Sequence, residues 1–274
     1  MAISSVTLSA SAYANLQALQ NLAVQLGSTQ QALATGKSVN SAADNASAFF
    51  QSQGFLQSAN DLSNLKNNLS TSLQSVSSTN NSIGDINTVV NQLQSITTSA
   101  LNDTSATDRK KFASQYNSLR TQLDLLVNDA TFNGTNLLNT TSSKLVVYFD
   151  AKNVSALTIT GVNVTSAGLG VVSAQSDFAN NTDINTAASL LLTAISTLRT
   201  DAQNFGNNST LIQTRQDFTT NLISSLTQAS NNLVLADTNQ EGAQLQQLQA
   251  QNQLAIVSLG ISGQLTQAIL RLFP

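Results

Sequence analysis

The sequence contains no cysteine, histidine or tryptophan, and its single proline is Pro274. Without cysteine and histidine, the chain has neither a thiolate nucleophile nor an imidazole base, and it lacks the nitrogen and sulfur ligands that bind zinc. We therefore expect no catalytic residue, no metal site, no cofactor and no enzymatic activity. The carboxylates, Asp85 and Asp124 among them, are expected on solvated faces or at turns.

Charge is also scarce. Charged residues make up 9% of the 274 residues, whereas an ordinary soluble domain has about 25%. The net charge is −3, and there is no basic patch, so binding to nucleic acid is not expected. No window approaches the run of apolar residues that spans a bilayer, so membrane insertion is not expected either. The first residues lack the pattern of a cleaved signal peptide.

The residues that are present form apolar stripes at both ends of the chain. From residue 241 to 273, Leu245 and Leu248 lead into a helical repeat of Leu254, Val257, Ile261, Leu265 and Leu272. From residue 3 to 33 a second repeat contains Val6, Tyr13, Leu16, Leu19, Leu26 and Leu33. Such spacing predicts two amphipathic helices. We expect them to pair through these stripes, with neutral outer faces suited to burial among neighbouring copies. An ordinary terminal helix pair in a monomer is the simpler alternative.

The middle of the chain continues the helical pattern around one short interruption. Glycine at position 36 ends the first helix, and Ser41 with Asp44 has the spacing of a capping box. Helices are predicted from there to about residue 99, over 108–130 and over 183–235, with a β-hairpin within 139–175. The predicted fold is mainly α, a long antiparallel helical rod or coiled coil with paired terminal helices and a small β-hairpin insert. Residues 1–40 and 236–274 would form one discontinuous domain and residues 41–235 the other.

Three motifs resemble bacterial flagellins. LATGKSVNSAADNASA (residues 33–48) is similar to the family signature, and SIGDINTVVNQLQ (82–94) and NDATFNGTNLL (128–138) follow in the family's order. The chain resembles a short flagellin of the alphaproteobacterial kind, with a minimal outer domain. The residues that carry the signature are Gly36, Asn40, Ser41, Asp44, Phe132, Asn133 and Gly134.

This resemblance implies a structural subunit that self-assembles into the helical flagellar filament for motility. It implies export, largely unfolded, through the flagellar type III channel, and an extracellular location in the filament. The implied partners are further copies, paralogous flagellins, an export chaperone, the filament cap and hook-associated proteins. The paired terminal helices would form the filament core.

Two alternatives remain open at the level of sequence. A hook–filament junction protein shares the terminal pairing, but it usually has a larger middle region and a less clear Asn-Ser-Ala-x-Asp motif. A helical binding protein of membrane surfaces would also be amphipathic. Helices of that kind normally carry Lys and Arg on their polar face, and these carry almost none.

Overall fold

A computed structural model describes residues 10–272, and this part of the chain is mostly helical. The helices are α1 (Ala10–Thr35), α2 (Ala42–Asn102), α3 (Ala106–Asp129), α4 (Asn181–Val234) and α5 (Thr238–Leu272). Strands β1 (Lys144–Tyr148) and β2 (Ala156–Thr160) pair antiparallel in a two-stranded sheet. The predicted fold, mainly α with paired terminal helices and a small β-hairpin, is confirmed.

Polar side chains set the beginning of α2. The carboxylate Oδ2 of Asp44 accepts a hydrogen bond from the backbone N–H of Ser41 at 2.8 Å and another from its hydroxyl at 3.1 Å. Asn45 then departs from helical geometry, with φ −160° and ψ 98°. Its side-chain oxygen accepts from the N–H of Ala48 at 3.1 Å, as an N-cap residue does. The regular part of α2 therefore begins just after Asn45.

The chain forms two compact units. The first consists of residues 1–58 and 225–274, and the second of residues 59–224. The boundaries of the first unit fall inside α2 and α4, after residue 58 and before residue 225, whereas the sequence places them at residues 40 and 236.

The first unit contains the α1–α5 pair and a hydrogen-bonded crossing between the two chain segments that lead away from it. The N–H of Ser38 donates to the carbonyl of Val234 at 2.8 Å, and the N–H of Ala236 donates to the carbonyl of Gly36 at 3.0 Å. Lys37 and Leu235 pair as an antiparallel bridge. Gly36 has φ +69°, a conformation that glycine adopts at no steric cost.

The second unit has one continuous apolar core built from α2, α3, α4 and the β-hairpin. Its side chains recur every three or four residues on the helices and every second residue on the strands, where Val147 and Ile159 point inward. The largest fully buried ones include Ile86, Leu93, Tyr116, Leu123, Phe178 and Leu198. Burial of such side chains stabilises a fold by about 1.5–3 kcal/mol each.

Residues 163–180, here called the strap, connect the hairpin to α4 and are bound to α3 by polar side chains. Asp124 accepts from the N–H and hydroxyl of Ser166 at 2.6 and 2.8 Å. Nε of Arg120 donates to the carbonyl of Val171 at 2.9 Å. The side-chain oxygen of Asn117 accepts from the N–H of Ala174 at 2.9 Å. Arg109 donates to the carbonyl of Ala179 at 3.4 Å and to the side chain of Asn181 at 2.6 Å.

Candidate functional site

The terminal helices pair through one face of each. On α1 this face is formed by small and aliphatic residues that are buried or half-buried: Ala12, Leu19, Leu22, Leu26, Ala32 and Leu33. On α5 it is formed by Leu245, Leu248, Ala255 and Leu259. The amide of Asn15 adds hydrogen bonds to the hydroxyls of Ser258 at 3.3 Å and Ser262 at 3.4 Å. The pair is thus held by leucine contacts and neutral polar groups.

A second apolar face of α5 is left in solvent. Leu254, Val257, Ile261 and Leu265 are between 53% and 69% exposed, and they follow one another at helical spacing. We call these four residues the α5 stripe. On α1 the exposed large residues are Tyr13, Leu16 and Val24. Exposed aliphatic residues in such a row are typical of a surface that another chain covers.

The structure corrects the expectation that all the apolar residues of the two stripes face one another. Leu19, Leu26 and Leu33 lie at the α1–α5 contact, but Tyr13, Leu16, Leu254, Val257, Ile261 and Leu265 point elsewhere. The physical reason is the step from Leu248 to Leu254. Six residues turn an α-helix by about 600°, which leaves the second residue about 120° away from the first. The apolar residues that the sequence pattern assigns to one stripe therefore lie on two separate faces of α5.

Two of the predicted stripe residues cannot be placed. Val6 lies outside residues 10–272, the part of the chain that the structure describes. Leu272 is the last residue of α5, but its side chain is outside the described part.

The first signature motif forms the turn between α1 and α2. Asp44 accepts from the backbone N–H of Ser41 and from that of Asn40, the latter at 2.9 Å. Asn40 also donates its side-chain amide to the carbonyl of Lys37 at 2.9 Å. These hydrogen bonds hold the pKa of Asp44 below its ordinary value of 3.8, and the bond from the backbone N–H of Ser41 has the largest effect. The motif therefore fixes the path of the chain beside the crossing at Gly36.

The third motif, residues 128–138, contains a tight turn after α3. Phe132 and Thr135 exchange backbone hydrogen bonds of 3.0 Å in both directions. Between them, Asn133 and Gly134 have φ +50° and +79°, the combination that a two-residue turn of this kind requires. Asn136, which the sequence did not single out, donates its amide to the carbonyl of Val127 at 2.7 Å and so closes the end of α3.

Within residues 10–272, no group of three acidic, cysteine or histidine side chains is positioned to hold a metal ion. None of the helices in the same range is both long enough and apolar enough to cross a membrane. Paired neutral terminal helices with a free apolar stripe define a structural, self-associating class of protein.

Comparisons with known proteins identify the family. The sequence model of the bacterial flagellin N-terminal helical region matches residues 3–143. Flagellin FljM and Flagellin FljO of Caulobacter vibrioides are each 31% identical to this chain over 275 residues, which is 100% of both chains. A flagellin of Brucella melitensis is 27% identical over 99% of each chain. The crystal structure of Bacillus cereus flagellin matches 56% of this chain and 88% of that one, with TM-score 0.49 and 17% identity.

The chain therefore belongs to the bacterial flagellin family. It is a structural subunit of the extracellular flagellar filament and not an enzyme.

Proposed function

We propose that copies of this flagellin associate in the filament through the α5 stripe and the exposed α1 residues Tyr13, Leu16 and Val24. The observation that carries this proposal is the α5 stripe, four bulky aliphatic residues at helical spacing on a helix whose other exposed residues are mostly Gln, Ala and Gly. Contact between these aliphatic side chains and water is unfavourable in a single copy. A neighbouring copy that covers the side chains removes this cost.

The stripe alone is small for a stable contact. Complete burial of one such side chain contributes about 1.5–3 kcal/mol, and these are already partly covered, so the stripe offers roughly 4–6 kcal/mol. Association of two proteins costs an estimated 4–15 kcal/mol in lost freedom of motion. Burial of one stripe therefore barely balances this cost, so a stably held subunit also needs contacts through further surfaces, such as Tyr13, Leu16 and Val24 of α1. Head-to-tail contacts of this kind generate helical assemblies.

The test compares two faces of the same helix. Purified subunits are added to short filament seeds, and filament length is measured by negative-stain electron microscopy. We expect Leu254→Gln with Ile261→Gln to abolish elongation while helix content stays unchanged by circular dichroism. The matched control is Ile256→Gln, which changes a residue 58% exposed on a different face of α5. Normal elongation by the stripe variant, or equal loss in the control, would contradict the proposal.

We further propose that the two ends of the chain and its middle form different layers of the filament. Residues 1–40 and 236–274 would form the filament core, and residues 41–235 the outer part. The scarcity of charge at the two ends supports this assignment. A variant that lacks residues 241–274 should fail to elongate seeds, since it has lost α5. If the truncated chain still extends seeds, the core assignment is wrong.

Family membership also supports a route and a set of partners. We propose that the protein is exported through the flagellar type III channel. We also propose that it binds an export chaperone, the filament cap, hook-associated proteins and paralogous flagellins. Deletion of the flagellar export apparatus in the producing bacterium should remove the protein from the culture supernatant, as judged by immunoblot. Continued secretion by the deletion strain would contradict the proposed export route.

A further inference from the structure

The end of the strap contains a rare backbone conformation. Ser176, Asp177 and Phe178 have φ of +45°, +54° and +59°. In this left-handed region the side-chain Cβ lies too close to the next carbonyl oxygen, so residues other than glycine adopt it at a cost and normally one at a time. Three in succession place a strained turn, Gln175–Phe178, immediately before α4.

A buried aromatic contact holds this turn in place. Phe178 is fully buried, and its ring meets that of Tyr116 on α3 edge to face, with centroids 5.3 Å apart. Lys110 and Asp177 also pair at 3.4 Å, but both side chains are well exposed, and such surface pairs contribute little. The closed turn therefore depends mainly on the insertion of one ring.

The same contact leaves a polar group without a partner. Among residues 10–272, nothing accepts or donates a hydrogen bond at the buried Tyr116 hydroxyl. Burial of a hydroxyl without a hydrogen bond is unfavourable, because the group was bonded to water in the unfolded chain. Backbone strain and an unpaired hydroxyl thus occur together, and local opening relieves both.

We propose that residues 174–180 form a latch that opens while the helices of the second unit stay folded. Opening releases Phe178 from its place beside Tyr116, lets the three strained residues relax and brings the hydroxyl into water. The links at either end, from Asn117 to Ala174 and from Arg109 to Ala179, confine the movement to this segment. The latch gives the join between strap and α4 a second conformation at low cost.

Hydrogen exchange of the Ala179 amide tests the proposal, since this N–H donates to the carbonyl of Ser176 at 3.0 Å within the latch. In the full chain we expect it to exchange at least tenfold faster than the amides in the middle of α3. Ser176→Gly with Asp177→Gly should slow its exchange roughly fivefold, because relief of the left-handed conformation exceeds the added flexibility of glycine. Tyr116→Phe should slow it too, since the ring remains and the hydroxyl is gone.

The matched control is Asn153→Gly, which relieves a similar φ of +58° in the loop between the strands. It should leave exchange at Ala179 unchanged. The latch is refuted if the Ala179 amide is as protected as those of α3. It is also refuted if neither the double glycine variant nor Tyr116→Phe slows exchange, or if Asn153→Gly slows it equally.

Discussion

Single polar side chains of α3 determine the path of the least regular part of the fold. The sequence predicts Asp124 on a solvated face or at a turn, and it indicates no role for Arg120 four residues earlier. In the structure both residues turn to the strap and bind backbone groups more than forty residues away. No local pattern predicts this, because the partners come together only after the core has formed.

Asp124→Ala should lower the free energy of unfolding by about 2 kcal/mol, because the N–H and the hydroxyl of Ser166 both lose a charged acceptor. Urea denaturation followed by circular dichroism measures this change. Asp85→Ala removes an exposed carboxylate from α2 and should change stability by less than about 0.5 kcal/mol. Similar values for the two variants would mean that the Asp124 contacts do not contribute to stability.

Because the hydroxyl of Tyr116 is buried, we expect the free energy of unfolding to fall at alkaline pH. Burial raises the pKa of this hydroxyl from 10.0 to about 12. Below pH 10 the hydroxyl is neutral in the folded and unfolded chain alike. Between pH 10 and 12 only the unfolded chain releases the proton, so the folded state loses up to about 2 kcal/mol. Tyr116→Phe should lack this component when urea midpoints are compared across that range, and parallel curves for the two proteins would contradict the assignment.

At the level of elements, the helices were largely predictable and their orientation was not. Apolar residues at every third or fourth position placed α2, α3 and α4 to within a few residues, because that period follows directly from helix geometry. The same rule cannot tell which of two apolar faces meets a given partner, and so it misassigned the α5 stripe. The strap has no repeat, and it therefore offered no signal at all.

Replacement of two glycines by alanine should change the stability of the protein in opposite directions. Gly84 lies inside α2 with open space where a Cβ would project, so Gly84→Ala should stabilise the helix by roughly 0.5–1 kcal/mol. Gly134→Ala should destabilise the protein by about 1 kcal/mol, because alanine adopts φ +79° only under strain. Thermal unfolding by calorimetry should give shifts of opposite sign, and shifts of the same sign would refute one of the two assignments.

For the whole molecule, the distribution of charge separates the two units. Only Lys37, Asp44, Asp237, Glu241 and Arg271 are charged in residues 1–58 and 225–274, and the other charged residues all belong to residues 59–224. Contacts made by the first unit therefore depend on apolar burial and neutral hydrogen bonds. Salt, which screens charge pairs on a surface, has almost nothing to screen there.

Filament growth should accordingly resist added salt. We expect the critical concentration for elongation to stay constant or fall as NaCl rises from about 0.05 to 0.5 M, since salt does not weaken apolar contacts. Sedimentation of assembled protein at each salt concentration measures it. A critical concentration that rises severalfold would show that ion pairs of the second unit control assembly.

The crossing at Gly36 and Val234 has a mechanical meaning. Both routes out of the terminal helices pass this point, and hydrogen bonds from Ser38 and Ala236 join them side by side. A pull on α1 is therefore passed in part to the chain leading into α5, and a pull on α5 is passed to the chain leading from α1. Neither chain segment therefore carries tension alone, and a subunit in a rotating filament shares its load between two covalent paths at this crossing.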